Sequence, residues 1–226
     1  MRRPGPLGWG HNARHMSGIA AAMENALATE IANAAARLVV EEGLEWGPAK
    51  RRAVRQLGLP ARTPLPDNDL VEDAVREYIG LFCADTQPME LRALRELALV
   101  WMQRMQAFRP YLGGAVWHGT ATRLSDIYIA LFCDDPKSAE IALIDHHVDY
   151  EPGSMTGLRG ELIDVLSVGC RSDALNEEIG VHLLIYDLDD LRGALRLDSR
   201  GRAPRGDMDA VRRLLQPMPS SSAPIP

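Results

Sequence analysis

The sequence predicts an α+β protein: a helical N-terminal region followed by a small mixed β-sheet flanked by helices. Three observations predict this. Apolar residues recur at helical spacing from Ile19 to Phe108. From Tyr111 the period changes to short apolar runs of strand length. Between two of those runs lies a tight Gly119-Thr120 turn, and an acid, Asp126, heads the second run. With 226 residues, 46% of them hydrophobic, the chain can bury one large core or two small ones.

The helices come first. Leu27, Ile31, Ala35, Leu38 and Val39 form an apolar stripe over Ile19 to Glu42, with Gly43 placed to end it. A second helix starts near Pro48, a residue favoured in a first helical turn, and stops at Gly58-Leu-Pro. Its cations Lys50, Arg51, Arg52 and Arg55 read as a solvated basic face or as a contact for an anionic substrate such as RNA. The motif Ala53-x-x-x-Leu57-Gly gives a fainter reading, a DNA-binding helix-turn-helix. A loop with Pro64 and Pro66 leads to a third helix from Leu70, for which Asn68 or Asp69 is the expected cap. The fourth runs from Met89 to Phe108, with Thr86 as cap candidate. Its Leu94, Trp101, Met102 and Met105 read as core, and Arg109-Pro110 closes it.

Beyond Tyr111 the expected strands are Gly114–Trp117, Ile127–Cys133, Val148–Glu151, Leu162–Val168 and Gly180–Tyr186. Short helices are expected over Lys137–Asp145, after Asp187 and over Asp207–Gln216. His146-His147 reads as a surface turn, and Glu177-Glu178 and Asp187, Asp189 and Asp190 as solvated turn or helix-start residues. The expected organisation is a disordered extension at 1–18, a helical region at 19–110, an α/β domain at 111–216 and a disordered tail at 217–226. Met16 and Met23 are alternative translation starts.

The formal net charge of −6 argues against broad, non-specific nucleic-acid binding. Cys83, Cys133 and Cys170 are widely spaced, without a CxxC pair, which disfavours structural zinc and suits a reducing cytoplasm. They read as small buried apolar residues. No apolar run approaches a bilayer span, so no membrane partner is expected.

The chemistry concentrates in Gly113–Asp135. Gly119 permits close backbone approach to a phosphate, and Thr120 adds a hydroxyl. Arg123 is a candidate phosphate clamp. Asp126 can hold Mg²⁺ against that phosphate. This Gly119-Thr120 turn followed by Ser125-Asp126-Ile127-Tyr128 resembles the nucleotidyltransferase superfamily related to DNA polymerase beta. The resemblance covers about 80 residues, Tyr111 to Leu191.

It implies transfer of a nucleoside monophosphate from an NTP substrate with Mg²⁺, through in-line attack. It also implies a nucleotidyltransferase-like sheet domain, phosphate contacts at Gly119, Thr120, Arg123 and Ser125, and metal-binding catalytic acids. The first acid is Asp126. The second falls on Tyr128, whose phenol, of pKa ~10, cannot hold Mg²⁺ as a carboxylate does. The third falls on Asp164 or, if the strand Val181-His-Leu-Leu is the counterpart, on His182. Asp134, Asp135 or Glu151 could complete the set.

Three functions are therefore expected in contrast: an Mg²⁺-dependent nucleotidyltransferase acting on an unidentified RNA or protein acceptor; an inactive nucleotidyltransferase-like regulator, antitoxin-like, that binds a nucleotide or partner; and a DNA-binding regulator. The acceptor, the nucleotide and the oligomeric state stay open.

Overall fold

In the computed structural model the described backbone covers residues 10–216, with side chains from 22 onward. The tail at 217–226 and the first nine residues of the expected extension lie outside it. The remainder of that extension, from Gly10, is helical. The described residues form two compact units, one up to Phe82 and one from Cys83.

The first unit holds three helices: α1 (Gly10–Glu42), α2 (Trp46–Gln56) and α3 (Asn68–Phe82). Gly43, at φ +67°, ends α1, and its N–H donates to Val39 O. Gly58, also at φ +67°, ends α2; it donates to Arg55 O while Leu59 donates to Val54 O. The core lies between Ile31, Ala35 and Leu38 of α1 and Ala49, Ala53 and Val54 of α2. The cap of α3 is Asp67, whose Oδ1 accepts from Leu70 N at 2.7 Å. Asn68 does not cap, because its Oδ1 accepts from Lys50 Nζ instead.

The second unit begins with α4 (Gln87–Arg104) and continues through β1 (Tyr111–Gly113), α5 (Gly114–His118), β2 (Ile127–Cys133), α6 (Lys137–Asp145), β3 (Glu151–Thr156), β4 (Leu162–Ser172) and β5 (Glu177–Asp187). Two short helices, α7 (Leu191–Ala194) and α8 (Met208–Leu215), complete it. The α+β expectation holds: the sheet is mixed, with strand order β1-β2-β5-β4-β3. Only β2 and β5 pair in parallel; the other neighbours are antiparallel.

Three boundary expectations needed correction. Gly114–Trp117 is the helix α5, not a strand, and the strand is Tyr111–Gly113 before it. A four-residue apolar run has no period to tell strand from helix, and Gly114 at φ +64° turns the chain out of the sheet. The expected strand at Val148–Glu151 lies later, at Glu151–Thr156. Thr86 makes no side-chain cap on α4.

Alternation along the strands gives the sheet two faces. One carries Ile127, Ile129, Leu131, Leu166, Val168, Val181, Leu183 and Ile185. It packs against Leu94, Trp101 and Met102 of α4, Ala139 and Leu143 of α6 and Val211 of α8. Each fully buried aliphatic side chain there contributes about 1.5–3 kcal/mol. The other face carries Ala130, Phe132, Ile163, Val165, Leu184 and Tyr186, packed against Ala194.

Candidate functional site

The second face ends in a polar row. Register places Gly113, Tyr128, His182, Ser167 and Glu151 side by side across the strands β1-β2-β5-β4-β3. Asp126, immediately before β2, joins that row. Its Oδ1 accepts from Gly180 N at 3.1 Å, and its Oδ2 lies 3.3 Å from His182 Nε2. His182 Nδ1 lies 2.9 Å from Ser167 Oγ. The Tyr128 ring stacks on the imidazole, with centroids 4.8 Å apart and planes 28° from parallel. Three strands thus fix one chain of groups, Asp126–His182–Ser167.

Gly180 makes this possible. A Cβ there would stand 2.7 Å from Asp126 Oδ1 and 3.1 Å from His182 Nε2. Any other residue would push the carboxylate off the strand. Asp126 is about half exposed and His182 is 22% exposed, so the pair faces solvent.

Asp164 is not part of it. On β4 it alternates with Ile163 and Val165 of the second face, which puts its side chain on the opposite face from Asp126. There it lines a shallow groove with Lys137, Glu140 and Pro152. Asp126 and Asp164 therefore cannot ligate one metal. Of the two candidates for the third position, the structure brings His182 to Asp126.

The Gly119-Thr120 turn follows α5, with Gly119 at φ +82° as its C-cap. The N–H groups of Gly119 and Thr120 both donate to Ala115 O, at 2.9 Å each, and so close the helix end. The Thr120 and Thr122 hydroxyls are buried, without a hydrogen-bond partner among the described residues. From α4, Gln87 Nε2 donates to Gly119 O (3.2 Å) and Ala121 O (2.9 Å). Arg95 donates to Val116 O and Trp117 O, and burial pulls its pKa down. Ser125 Oγ accepts from Thr122 N and holds the loop. Arg123 pairs with Glu177 Oε1 at 2.9 Å, and its N–H donates to Glu90. The N–H groups of Gly119 and Thr120 and the side chains of Arg123 and Ser125 are thus engaged inside the protein, and the Thr120 hydroxyl is buried.

Searches against protein-family models, curated proteins and solved structures find no match. The geometry alone must then be read against the metal pair implied by the resemblance. Mg²⁺ takes oxygen ligands, usually carboxylates and phosphates, and a pair needs several of them. Around Asp126 stand a phenol ring, an imidazole and a hydroxyl, and one carboxylate oxygen is already held by Gly180 N–H. Among the described residues no group of three His, Cys, Asp or Glu is arranged to hold a metal. This donor set does not fit an Mg²⁺ pair.

The other sequence candidates lie elsewhere. In the first unit Lys50 Nζ donates to Pro66 O and Asn68 Oδ1, and Arg52 pairs with Glu42. Two of the four cations of α2 therefore brace that unit. His146 and His147 form the exposed turn after α6 that the sequence predicts. Asp190 differs from its expectation: it is buried and ion-paired with Arg159. Of the cysteines, Cys133 is buried, while Cys83 and Cys170 are half-buried. No described helix is long and apolar enough to cross a membrane.

Ser167, Gly180 and Gln87 belong to no motif. The paired glycines Gly169 and Gly180 inside strands were the one signal of a close approach over the sheet.

Proposed function

We propose that this chain is a nucleotidyltransferase-like protein that works by binding rather than by nucleotide transfer, as a regulator of the antitoxin type with a nucleotide or protein partner. The observation that carries this reading is the imidazole of His182 against Asp126, where transfer would call for a further carboxylate. Tyr128 in the row beside it supports the same reading. So do the N–H groups of Gly119 and Thr120, directed at Ala115 O rather than toward a phosphate.

The test is incubation with each α-labelled NTP, Mg²⁺ or Mn²⁺ and cell extract, alongside affinity purification of the full chain. The reading expects no transferred label and a stable co-purifying partner or Mg²⁺-independent nucleotide binding. Label transfer that disappears in Asp126→Ala would overturn it and restore the Mg²⁺-dependent transferase.

A further inference from the structure

We infer that the open edge of β3 is a docking surface for a second copy of this chain, paired antiparallel about Ser154 so that two sheets join into one. The inference does not depend on whether the chain transfers nucleotides.

The two edges of the sheet differ. At β1, Leu112 N–H donates to Gly206 O and Gly206 N–H donates to Leu112 O, which closes that side. At the other side β3 pairs with β4 alone among the described residues, and every residue of β3 is exposed. An unpaired strand edge is a template for another strand, and proteins blunt such edges with lysine, proline, a bulge or a covering element. β3 carries no lysine, and its register with β4 runs unbroken from Glu151 to Thr156. Only Pro152 stands in that protective role.

The ladder fixes which groups point outward. Gly157 N–H donates to Glu161 O at 2.7 Å, one step beyond the Thr156–Leu162 pair in the same register. In an antiparallel pair, hydrogen-bonded and non-hydrogen-bonded positions alternate. Glu151, Gly153 and Met155 therefore bond to β4, whereas Pro152, Ser154 and Thr156 direct their backbone groups to the open edge. Pro152 thus sits where its missing N–H costs the pairing with β4 nothing.

Those outward groups are self-complementary. In a two-fold pairing centred on Ser154, its N–H meets the carbonyl of Ser154 of the partner subunit, and the reverse. Thr156 N–H meets the carbonyl of Pro152 of the partner subunit. Both outward donors of each copy are satisfied, and the proline is needed only as an acceptor. The side chains agree. Glu151, the one charge on β3, falls opposite Gly157 of the partner subunit and meets no second carboxylate. Met155 falls opposite Gly153 of the partner subunit, where the space for a side chain stands open.

A second observation lies beside the edge. Lys137 and Glu140 of α6 line a groove with Pro152, Gly153 and Asp164. Ile141 and Ile144 follow them one helical turn later on the same stripe, and they are 52% and 55% exposed. Apolar side chains left exposed beside an open strand mark a surface that a partner covers. A second copy brings the identical stripe, related by the same two-fold axis. Directly opposite residues share a face, so the polar rows of both copies come to lie on one face of the joined sheet.

The experiment is sedimentation of the full chain across a concentration series. The mass should rise from 24.9 kDa in dilute solution to twice that value. Ser154→Pro removes the central outward N–H without touching the pairing with β4, and should return the monomer mass. Ser154→Lys and Ser154→Glu each set like charges opposite one another, so each alone should be monomeric and a mixture of the two should pair. Thermal melts establish that each variant is folded. Should a variant fail to fold, hydrogen exchange of the unaltered protein still decides: the Ser154 and Thr156 amides must exchange more slowly in concentrated than in dilute solution. A dimer that survives Ser154→Pro, a Lys and Glu mixture that stays monomeric, or amides whose exchange ignores concentration would each overturn the inference. So would a chain that is monomeric throughout, with these amides protected only by a different co-purifying protein.

Discussion

The two faces of the five-stranded sheet are built from the same strands and meet opposite fates. On the first, Leu131, Leu166, Val181 and Leu183 lie sealed beneath α4, α6 and α8. On the second, the apolar run of Ala130, Val165 and Leu184 gives way to Tyr128, His182, Ser167 and the neighbouring Asp126. A strand's period of two lets one residue serve stability and the next serve chemistry. The contrast says that substitutions on the first face should unfold the protein, whereas those in the polar row should leave it folded and change what it binds.

The largest expected effect is on the packed face. Leu183→Ala removes a fully buried side chain and should lower stability by about 2–5 kcal/mol in chemical denaturation. Ser167→Ala, one strand away on the other face, should cost about 1 kcal/mol or less, the worth of one ordinary hydrogen bond. Equal losses would break the contrast. Next comes Gly180→Ala, where the added Cβ meets the Asp126 carboxylate; overpacking of this kind costs about 1–3 kcal/mol. Because the contacts under 3.0 Å are with Asp126 alone and His182 Nε2 is the milder contact at 3.1 Å, adding Asp126→Ala should recover most of the loss, and the double variant's melt measures that recovery.

A pH effect sharpens the packed side. Burial, helped by the nearby Asp134 and Asp135, raises the Cys133 thiol from 9.0 to about 11. The folded thiol therefore stays protonated where the unfolded one ionises. Its contribution to stability is intact below pH 9 and is lost as the pH rises toward 11. Thiol alkylation of the native protein at pH 8 should accordingly leave Cys133 unmodified, as peptide mass mapping would show. The smallest effect belongs to Arg123→Ala. Its ion pair with Glu177 is exposed on both sides and should be worth about 0–1 kcal/mol, diminishing further in high salt.

Much of the fold was legible in the sequence because long amphipathic periods are strong signals. The apolar stripe of α4, the Gly43 and Gly58 helix ends and the Ile127–Cys133 strand all stand where the pattern puts them. The short pieces were not legible. Gly114–Trp117 is too brief to show a period, and the exposed edge strand Glu151–Thr156 carries Pro152 and Gly153 where a strand pattern expects apolar residues.

At the site, Asp126 could be picked out by its spacing from the Gly119-Thr120 turn. Its partners could not, because they are set by strand order. Asp164 has the same apolar-acid-apolar surroundings as a site acid, but β4 is not next to β2; β5 is. Only parallel pairing of β2 with β5 selects His182, and only the alternation of β4 sends Asp164 to the far face.

That selection is the central claim, and histidine-ring NMR tests it most directly. Asp126→Asn and Asp164→Asn would each be compared with the unaltered protein through the ¹H–¹³C signals of His182, assigned by loss of the peak in His182→Gln. The account predicts that Asp126→Asn moves the His182 ring signals and Asp164→Asn leaves them in place. Movement with Asp164→Asn and none with Asp126→Asn would contradict it.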